Sequence, residues 1–400
     1  MPPSISPRGL STPPSPIRKL ALYAVKARER GIKVYNVNIG QPDIHTPREF
    51  YQAVHDSTDK VLAYGPSDGI PAYKKSLEQY YHRCGYTHIG QKDIMVTTGG
   101  SEAIVFTMIA ITSPGDEIIV FEPFYPNYNG FSKMAAVNLI PIGTDPEKGF
   151  CLPSQEEIEA KITSKTRAIL ICSPNNPTGT ILSHREMTII KDLVLKHNLF
   201  VISDEVYREF VFEGKHTSIL EFPDLREHAI VTDSISKRYS ACGARLGCIV
   251  SKNALVIETA LKFGQARLCP PTLEQVGATV MVEVGDKYFK GMVAEYKKRR
   301  DTIYDVLLQI TGVKCKIPPG AFYMMVTFPV KDIEDFARWL LTDFNFNNET
   351  TMIAPGPGFY ATPGLGMQEA RIAYVLNSDD LRKATNVIKE GLKVYSVIPA

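Results

Sequence analysis

The chain has 400 residues, 44% of them apolar, and its 45 Lys and Arg against 43 Asp and Glu leave a formal charge of +2. That length exceeds what one hydrophobic core usually serves, so the expectation is two domains or one large α/β domain with an appendage. A near-neutral balance without long single-sign runs points to neither nucleic acid nor a membrane surface as a partner.

Further classes are excluded by residue usage. No stretch reaches about 20 apolar residues, and the N-terminal segment lacks the apolar region of a secretory signal. The seven cysteines (84, 151, 172, 242, 248, 269 and 315) are odd in number and scattered, without a Cys-x-x-Cys pair. The eight histidines contain no His-Glu-x-x-His. Reduced thiols in a soluble cytoplasmic protein fit this usage better than a disulfide framework, and no metal is expected.

In chain order, the proline-rich residues 1–16 predict an extended arm that is neither helix nor central strand. Ile17 to Arg30 reads as a helix stopped by Gly31, followed by a strand at Lys33 to Asn38. Ala72 to Arg83 places Tyr73, Leu77, Tyr80 and Cys84 on one helical face, with Gly85 as the stop. Glu102 to Ile111 is apolar nearly all round, as a buried helix is. Asp116–Phe121, Arg167–Cys172, Leu199–Ser203, Ala229–Asp233 and Arg245–Ser251 are short β-branched runs, several without polar alternation, as in strands buried on both faces. A helix at Arg185–Asn198 carries Met187, Ile190, Val194 and His197 on one stripe. A large α/β domain with a mostly parallel central sheet flanked by helices follows.

After Thr272 a long helical region runs to about Ile310. Strands at Ala321–Thr327 and Glu369–Val375 then alternate with helices at Asp332–Phe344 and Asp379–Tyr395. The expected division is an arm (1–16), a large cofactor-binding domain (49–289) and a smaller α+β domain built from 17–48 and 290–400.

Asn176, Asp204 and Lys237 each fall at or just beyond the carboxyl end of an expected strand, the edge where open α/β sheets bind ligands. Pyridoxal phosphate needs three things there. A lysine must form an imine with its aldehyde, and Lys237 in Ser234-Ile-Ser-Lys237 lies between two apolar strands in a loop held at the sheet edge. A carboxylate must keep its ring nitrogen protonated, and Asp204 emerges from Leu199-Phe-Val-Ile-Ser203. Backbone amides, hydroxyls and a cation must hold the phosphate. Thr97-Thr-Gly-Gly-Ser-Glu-Ala103 opens a helix with the amides of Gly100, Ser101 and Glu102, and Ser234 and Arg245 complete the cradle.

Taken together, Asn175-Asn-Pro-Thr-Gly179, Asp204 with Tyr207, and Ser234-x-x-Lys237 with Arg245 resemble the pyridoxal-phosphate-dependent aminotransferases of the aspartate aminotransferase fold (fold type I, class I/II). The resemblance runs from Asn38-Ile-Gly-Gln-Pro-Asp43 to Arg371. It implies that Lys237 carries the cofactor and shuttles the substrate proton, that Asp204 pairs with the pyridinium nitrogen, and that Asn176 and Tyr207 hydrogen-bond the ring hydroxyl. Tyr125 is similar to the stacking aromatic, with Phe124 as its rival. The resemblance further implies that Tyr64 reaches the phosphate from a second subunit, which would make a homodimer part of the site, and that Arg371 grips the substrate α-carboxylate in a bidentate fork beside Gly40.

Two departures bear on the substrate. Many bacterial aspartate-specific relatives carry a lysine after the glycine pair, where Ser101 stands. The arginine that reads a distal carboxylate in another branch is also missing from its usual place, leaving Arg267 or Arg18 as readers. Aspartate is the expected donor, with aromatic and hydrophobic amino acids open, and 2-oxoglutarate the expected acceptor. The alternatives are a β-lyase of the same fold, sharing all these positions, and a serine hydrolase using Ser67 in Gly65-Pro-Ser-Asp-Gly69. Ser-x-x-Lys also occurs in β-lactamases, but neither companion motif follows. A cofactor-binding transcription regulator would need a helix-turn-helix that the arm is too short to hold.

Overall fold

The computed structural model describes residues 3–58 and 60–395. Residues 1, 2, 59 and 396–400, which belong to the expected arm, large domain and small domain, lie outside the described residues. Strand β1 (Lys33–Asn36) comes first, and seven strands then form the central sheet: β2 (Ile94–Thr97), β3 (Glu117–Glu122), β4 (Asn138–Gly143), β5 (Thr166–Cys172), β6 (Phe200–Asp204), β7 (Ala229–Ser234) and β8 (Gly247–Ser251). Their order is β2-β8-β7-β6-β5-β3-β4. Neighbours from β7 through β4 pair in parallel, whereas β8 runs antiparallel to both β7 and β2.

Successive side chains of these strands enter two separate apolar layers. Ile119, Ile169, Ile171, Val201 and Val231 pack on one face. Ile118, Val120, Ala168, Leu170 and Ile202 pack on the other. Because helices cover both faces, both alternating sets are apolar, so the strands read as unbroken hydrophobic runs.

The rest of the chain builds two small sheets. A four-stranded one has the order β12 (Ala354–Pro355), β13 (Glu369–Ala373), β10 (Tyr323–Thr327) and β9 (Lys314–Cys315). The other pairs β1 in parallel with β11 (Glu349–Met352). A separate core joins them, drawing Val34 and Tyr35 from β1, Tyr296 and Ile303 from the Asp286–Leu307 helix, Met324 and Val326 from β10 and Leu381 and Ile388 from the last helix.

Several expectations are corrected. The arm is not wholly extended, because Pro7–Ser11 forms a short helix. Ser6 accepts the Gly9 amide as its cap, and proline is tolerated in a first helical turn. The helical region after Thr272 is broken: Thr272–Thr279 and a 3₁₀ turn at Val280–Glu283 precede a fresh start at Asp286 beyond Gly285. Strand β8 begins at Gly247 because Arg245 has a left-handed φ of 50°, incompatible with a ladder. Strands β2, β4, β9, β11 and β12 and the Ala254–Arg267 helix were not anticipated.

Candidate active site

At the carboxyl ends of β5, β6 and β7 a cavity of about 550 Å³ is lined by residues from both parts of the chain, among them Gly40, Asn176, Asp204, Lys237 and Arg371. Its size lies within the ~300–1,000 Å³ usual for small-molecule sites.

Lys237 sits in the single turn Ile235–Arg238 that follows β7, and Ser234 caps that turn by accepting the Ser236 amide at 3.1 Å. Its Nζ donates to the Gly40 carbonyl at 2.8 Å and lies 3.9 Å from Cys242 Sγ. Burial pushes the amine below the ordinary lysine range; Cys242 and Asp204 oppose the shift, while Arg371 and Arg245 add to it. Gly40 has no room for a side chain, since a Cβ there would fall 1.7 Å from the Tyr323 hydroxyl.

Asp204 ends β6 in a buried position. Its carboxylate accepts from the Tyr128 hydroxyl at 2.7 Å and, more weakly, from the Val206 amide at 3.4 Å. Burial raises it to about 6 against those two bonds. Among the described residues no cation pairs with it.

Across the cavity, Arg371 in β13 is buried. Its Nη1 donates to Asn176 Oδ1 at 2.8 Å and its Nη2 to the Asn38 carbonyl, while its Nε has no partner. The guanidinium stands over the Tyr323 ring, 4.3 Å from the centroid, and burial lowers its pKa. Tyr207 shares a 2.8 Å hydrogen bond with Tyr323 between hydroxyls.

The two aromatic candidates separate cleanly. Tyr125 is half-buried, lines the cavity and accepts from Asn127 Nδ2 at 2.7 Å. Phe124 is 2% exposed and packs in the core against Tyr128.

The opposite end presents Gly100 and Ser101 from the first turn of the Gly99–Ile111 helix, with Ser234, Ser236 and Arg245. A Cβ at Gly99 would lie 2.5 Å from the Arg245 guanidinium, so only glycine lets the arginine rest against that helix start. Ser234 Oγ donates to the Leu246 carbonyl at 2.7 Å.

Four sequence candidates are not brought to this cavity. The Glu102 side chain turns away, accepting the Thr98 amide at 2.7 Å and pairing with Arg267 at 3.0 Å. Arg267 is thereby engaged and does not line the cavity, whereas Arg18 does. Tyr64 is 80% exposed and outside the cavity of the single chain. Ser67 has no histidine hydrogen-bonded to it among the described residues. Sequence reasoning missed Tyr128, Asn127, Ser236, Cys242 and Tyr323; Tyr128 and Asn127 follow Tyr125 so closely that the same segment could have suggested them.

The site therefore combines a buried carboxylate lacking a cationic partner, a lysine with a depressed pKa, and a helix start with hydroxyls and an arginine. These are the complements of a protonated ring nitrogen, an aldehyde and a phosphate. With a parallel sheet carrying them at its carboxyl edge, they define an enzyme that uses pyridoxal 5'-phosphate.

Comparison with known proteins is consistent with this class. The sequence profile of "Aminotransferase class I and II" matches residues 32–388. An aspartate aminotransferase of Sulfurisphaera tokodaii is 30% identical over 91% of this chain and 91% of its own. An aspartate/prephenate aminotransferase of Thermus thermophilus is 28% identical over 94% and 97%. Among solved structures, a mutant aspartate aminotransferase of Thermus thermophilus superposes with a TM-score of 0.89 at 26% identity, covering 97% of this chain and all of the other. An alanine aminotransferase from Pyrococcus furiosus reaches the same TM-score at 29% identity, covering 98% and 100%. The chain belongs to the class I and II aminotransferases. It is a pyridoxal-phosphate-dependent transaminase acting on an amino acid and a 2-oxo acid, and neither the β-lyase nor the serine-hydrolase alternative is favoured. Among the described residues no helix is long and apolar enough to cross a membrane, and no cluster suited to a metal is found.

Proposed function

We propose that this aminotransferase moves the amino group of L-aspartate to 2-oxoglutarate, alternating the two half-reactions at the one cavity. The observation that carries the amino-acid assignment is the buried Arg371, whose unpartnered Nε leaves a donor for a carboxylate. The aspartate assignment rests on the names of the relatives.

When bound, pyridoxal phosphate supplies an aldehyde that condenses with amines and a ring that accepts the electron pair released at the substrate Cα. The residues of the chain do the rest. Lys237 would carry the cofactor and then move the Cα proton, and its burial, which lowers the amine's pKa, favours the neutral form that a base must offer. Asp204 holds the proton on the ring nitrogen, and Tyr128 holds Asp204. Asn176 and Tyr207 hydrogen-bond the ring hydroxyl, and Tyr125 stacks on the ring. The Gly100 and Ser101 amides, with Ser234 and Arg245, hold the phosphate. Arg371 orients the α-carboxylate next to Gly40.

The same reading makes the enzyme a homodimer in which Tyr64 serves the neighbouring phosphate; its exposure in the single chain supports this. It also takes residues 49–289 as the large domain, 17–48 and 290–400 as the small one and 1–16 as the arm, supported by the separate core around the small sheets. Seven free cysteines favour a reducing, cytoplasmic setting.

A panel of amino acids assayed with 2-oxoglutarate tests the reaction. Glutamate formation fastest from aspartate is expected; pyruvate and ammonia formed without an acceptor would overturn it. Borohydride should fix the cofactor on Lys237, and Lys237→Ala should lose turnover by about 10⁴-fold or more. Sustained multiple turnover in that variant would end the assignment of the lysine.

A further inference from the structure

We infer that Arg18 reads the distal carboxylate of a dicarboxylic substrate, so that the N-terminal segment determines donor specificity; this inference builds on the substrate assignment above. The charges lining the cavity carry the argument. Four cations face it, Arg18, Lys237, Arg245 and Arg371, against one carboxylate, Asp204. Lys237 serves the chemistry, Arg245 rests at the helix start with Ser234, and Arg371 meets the α-carboxylate. Arg18 is left without an assigned anion, and among the described residues it has no hydrogen bond or ion pair with a carboxylate.

Its placement is fixed although its side chain is exposed. The 3₁₀ turn Pro16–Arg18 is pinned on both sides. Pro16 is seated on Gly358, where a Cβ would come within 2.4 Å of the proline ring. The Ile17 carbonyl accepts from Asn38 Nδ2 at 3.0 Å, and the Asn38 carbonyl in turn accepts from Arg371. Lys19 pairs with Glu334 at 2.5 Å, and Leu20 is buried. Ser15, Ile17 and Arg18 of this held segment all line the cavity, and Arg18 is the charged one among them. The shared residue Asn38 links the turn to the arginine that holds the substrate's other end, which fixes the spacing between the two carboxylate sites.

The rival readers are disposed of locally. Arg267 is neutralised by Glu102 at 3.0 Å, and position 101 is a serine. Burial raises the Tyr125 phenol pKa, and the charge of Arg18 is near enough to oppose that shift together with Arg371 and Arg245.

The test uses the cofactor-loaded enzyme and two readouts. Succinate and butyrate, unreactive acids with and without a second carboxylate, are titrated by calorimetry, and kcat/KM is measured for aspartate and alanine. In Arg18→Gln, succinate affinity and the aspartate-to-alanine ratio should each fall about tenfold or more, the scale of one charge-assisted hydrogen bond. Arg18→Lys should recover part of both. Equal losses for both acids and both donors would mean that the turn only shapes the cavity, and no loss would mean that Arg18 reads nothing; either overturns the inference. A wild-type enzyme that uses alanine and not aspartate sinks the donor assignment alone, because an Arg18-dependent preference for succinate still decides the inference.

Discussion

Asp204 and Glu205 are chain neighbours at the end of β6, 4% and 0% exposed, yet their carboxyls are driven in opposite directions. Burial raises Asp204 to about 6. Glu205 is held at about 2, because Arg208 and His216 overcome the same desolvation with help from Ser218. Glu205 pairs with Arg208 and accepts from His216 at 3.1 Å, Ser203 at 2.9 Å and Ser218 at 2.9 Å. Asp204 has a phenol, a distant amide and the open cavity. Equal burial thus produces a settled structural ion on one side of the strand and, on the other, a carboxylate whose missing cation is the ligand's to supply.

The comparison can be broken in order of effect. Glu205→Gln should lower stability most, by about 3–5 kcal/mol, since it strands a buried Arg208; urea unfolding that moved by less than about 1 kcal/mol would dissolve the contrast. Asp204→Asn should do the reverse to the cofactor-free protein, stabilising it above pH 6 on the order of 2–3 kcal/mol, while kcat of the loaded enzyme falls about 10²–10³-fold. A rate barely changed would remove Asp204 from the chemistry.

Stability against pH sharpens the distinction. The folded pKa of Glu205 is depressed, so its contribution is full above about 5 and is lost as pH falls toward 2. The folded pKa of Asp204 is raised, so its penalty is full above about 6 and is relieved as pH falls toward 4. The difference between wild type and Asp204→Asn should therefore close between pH 6 and 4, a window in which Glu205→Gln keeps most of its deficit. The smallest effect belongs to Tyr128→Phe. Losing the 2.7 Å bond should move the Asp204 midpoint up by about one unit; a midpoint unmoved or lowered would show that the phenol does not hold the ionised form.

The strand ends that bear Asn176, Asp204 and Lys237 were legible because runs such as Ala229-Ile-Val-Thr-Asp233 are buried on both faces and marked by composition alone. The sheet's edges were not. Strand β4 contains Pro141, which suits an edge that has no partner on one side, and β2 is four residues long. Within the site, main-chain offerings such as Gly100 follow from local sequence, but side-chain direction does not. Glu102 turns to Arg267 across 165 residues, and no local pattern announces that pairing. The hydroxyl partners of Tyr128 and Tyr323 are set by the fold and have no mark in the local sequence.

The parallel pairing of β1 with β11 has a consequence for biosynthesis. Lys33 to Asn36 register against Glu349 to Met352, so that ladder cannot close until the ribosome has passed residue 352. Asn38 and Gly40, translated soon after Arg18, wait for a late strand to fix them, and Arg371 emerges later still. Every phosphate-side residue has been made once Arg245 is out, which makes the substrate-gripping end the last portion of the cavity to be completed in a newborn chain.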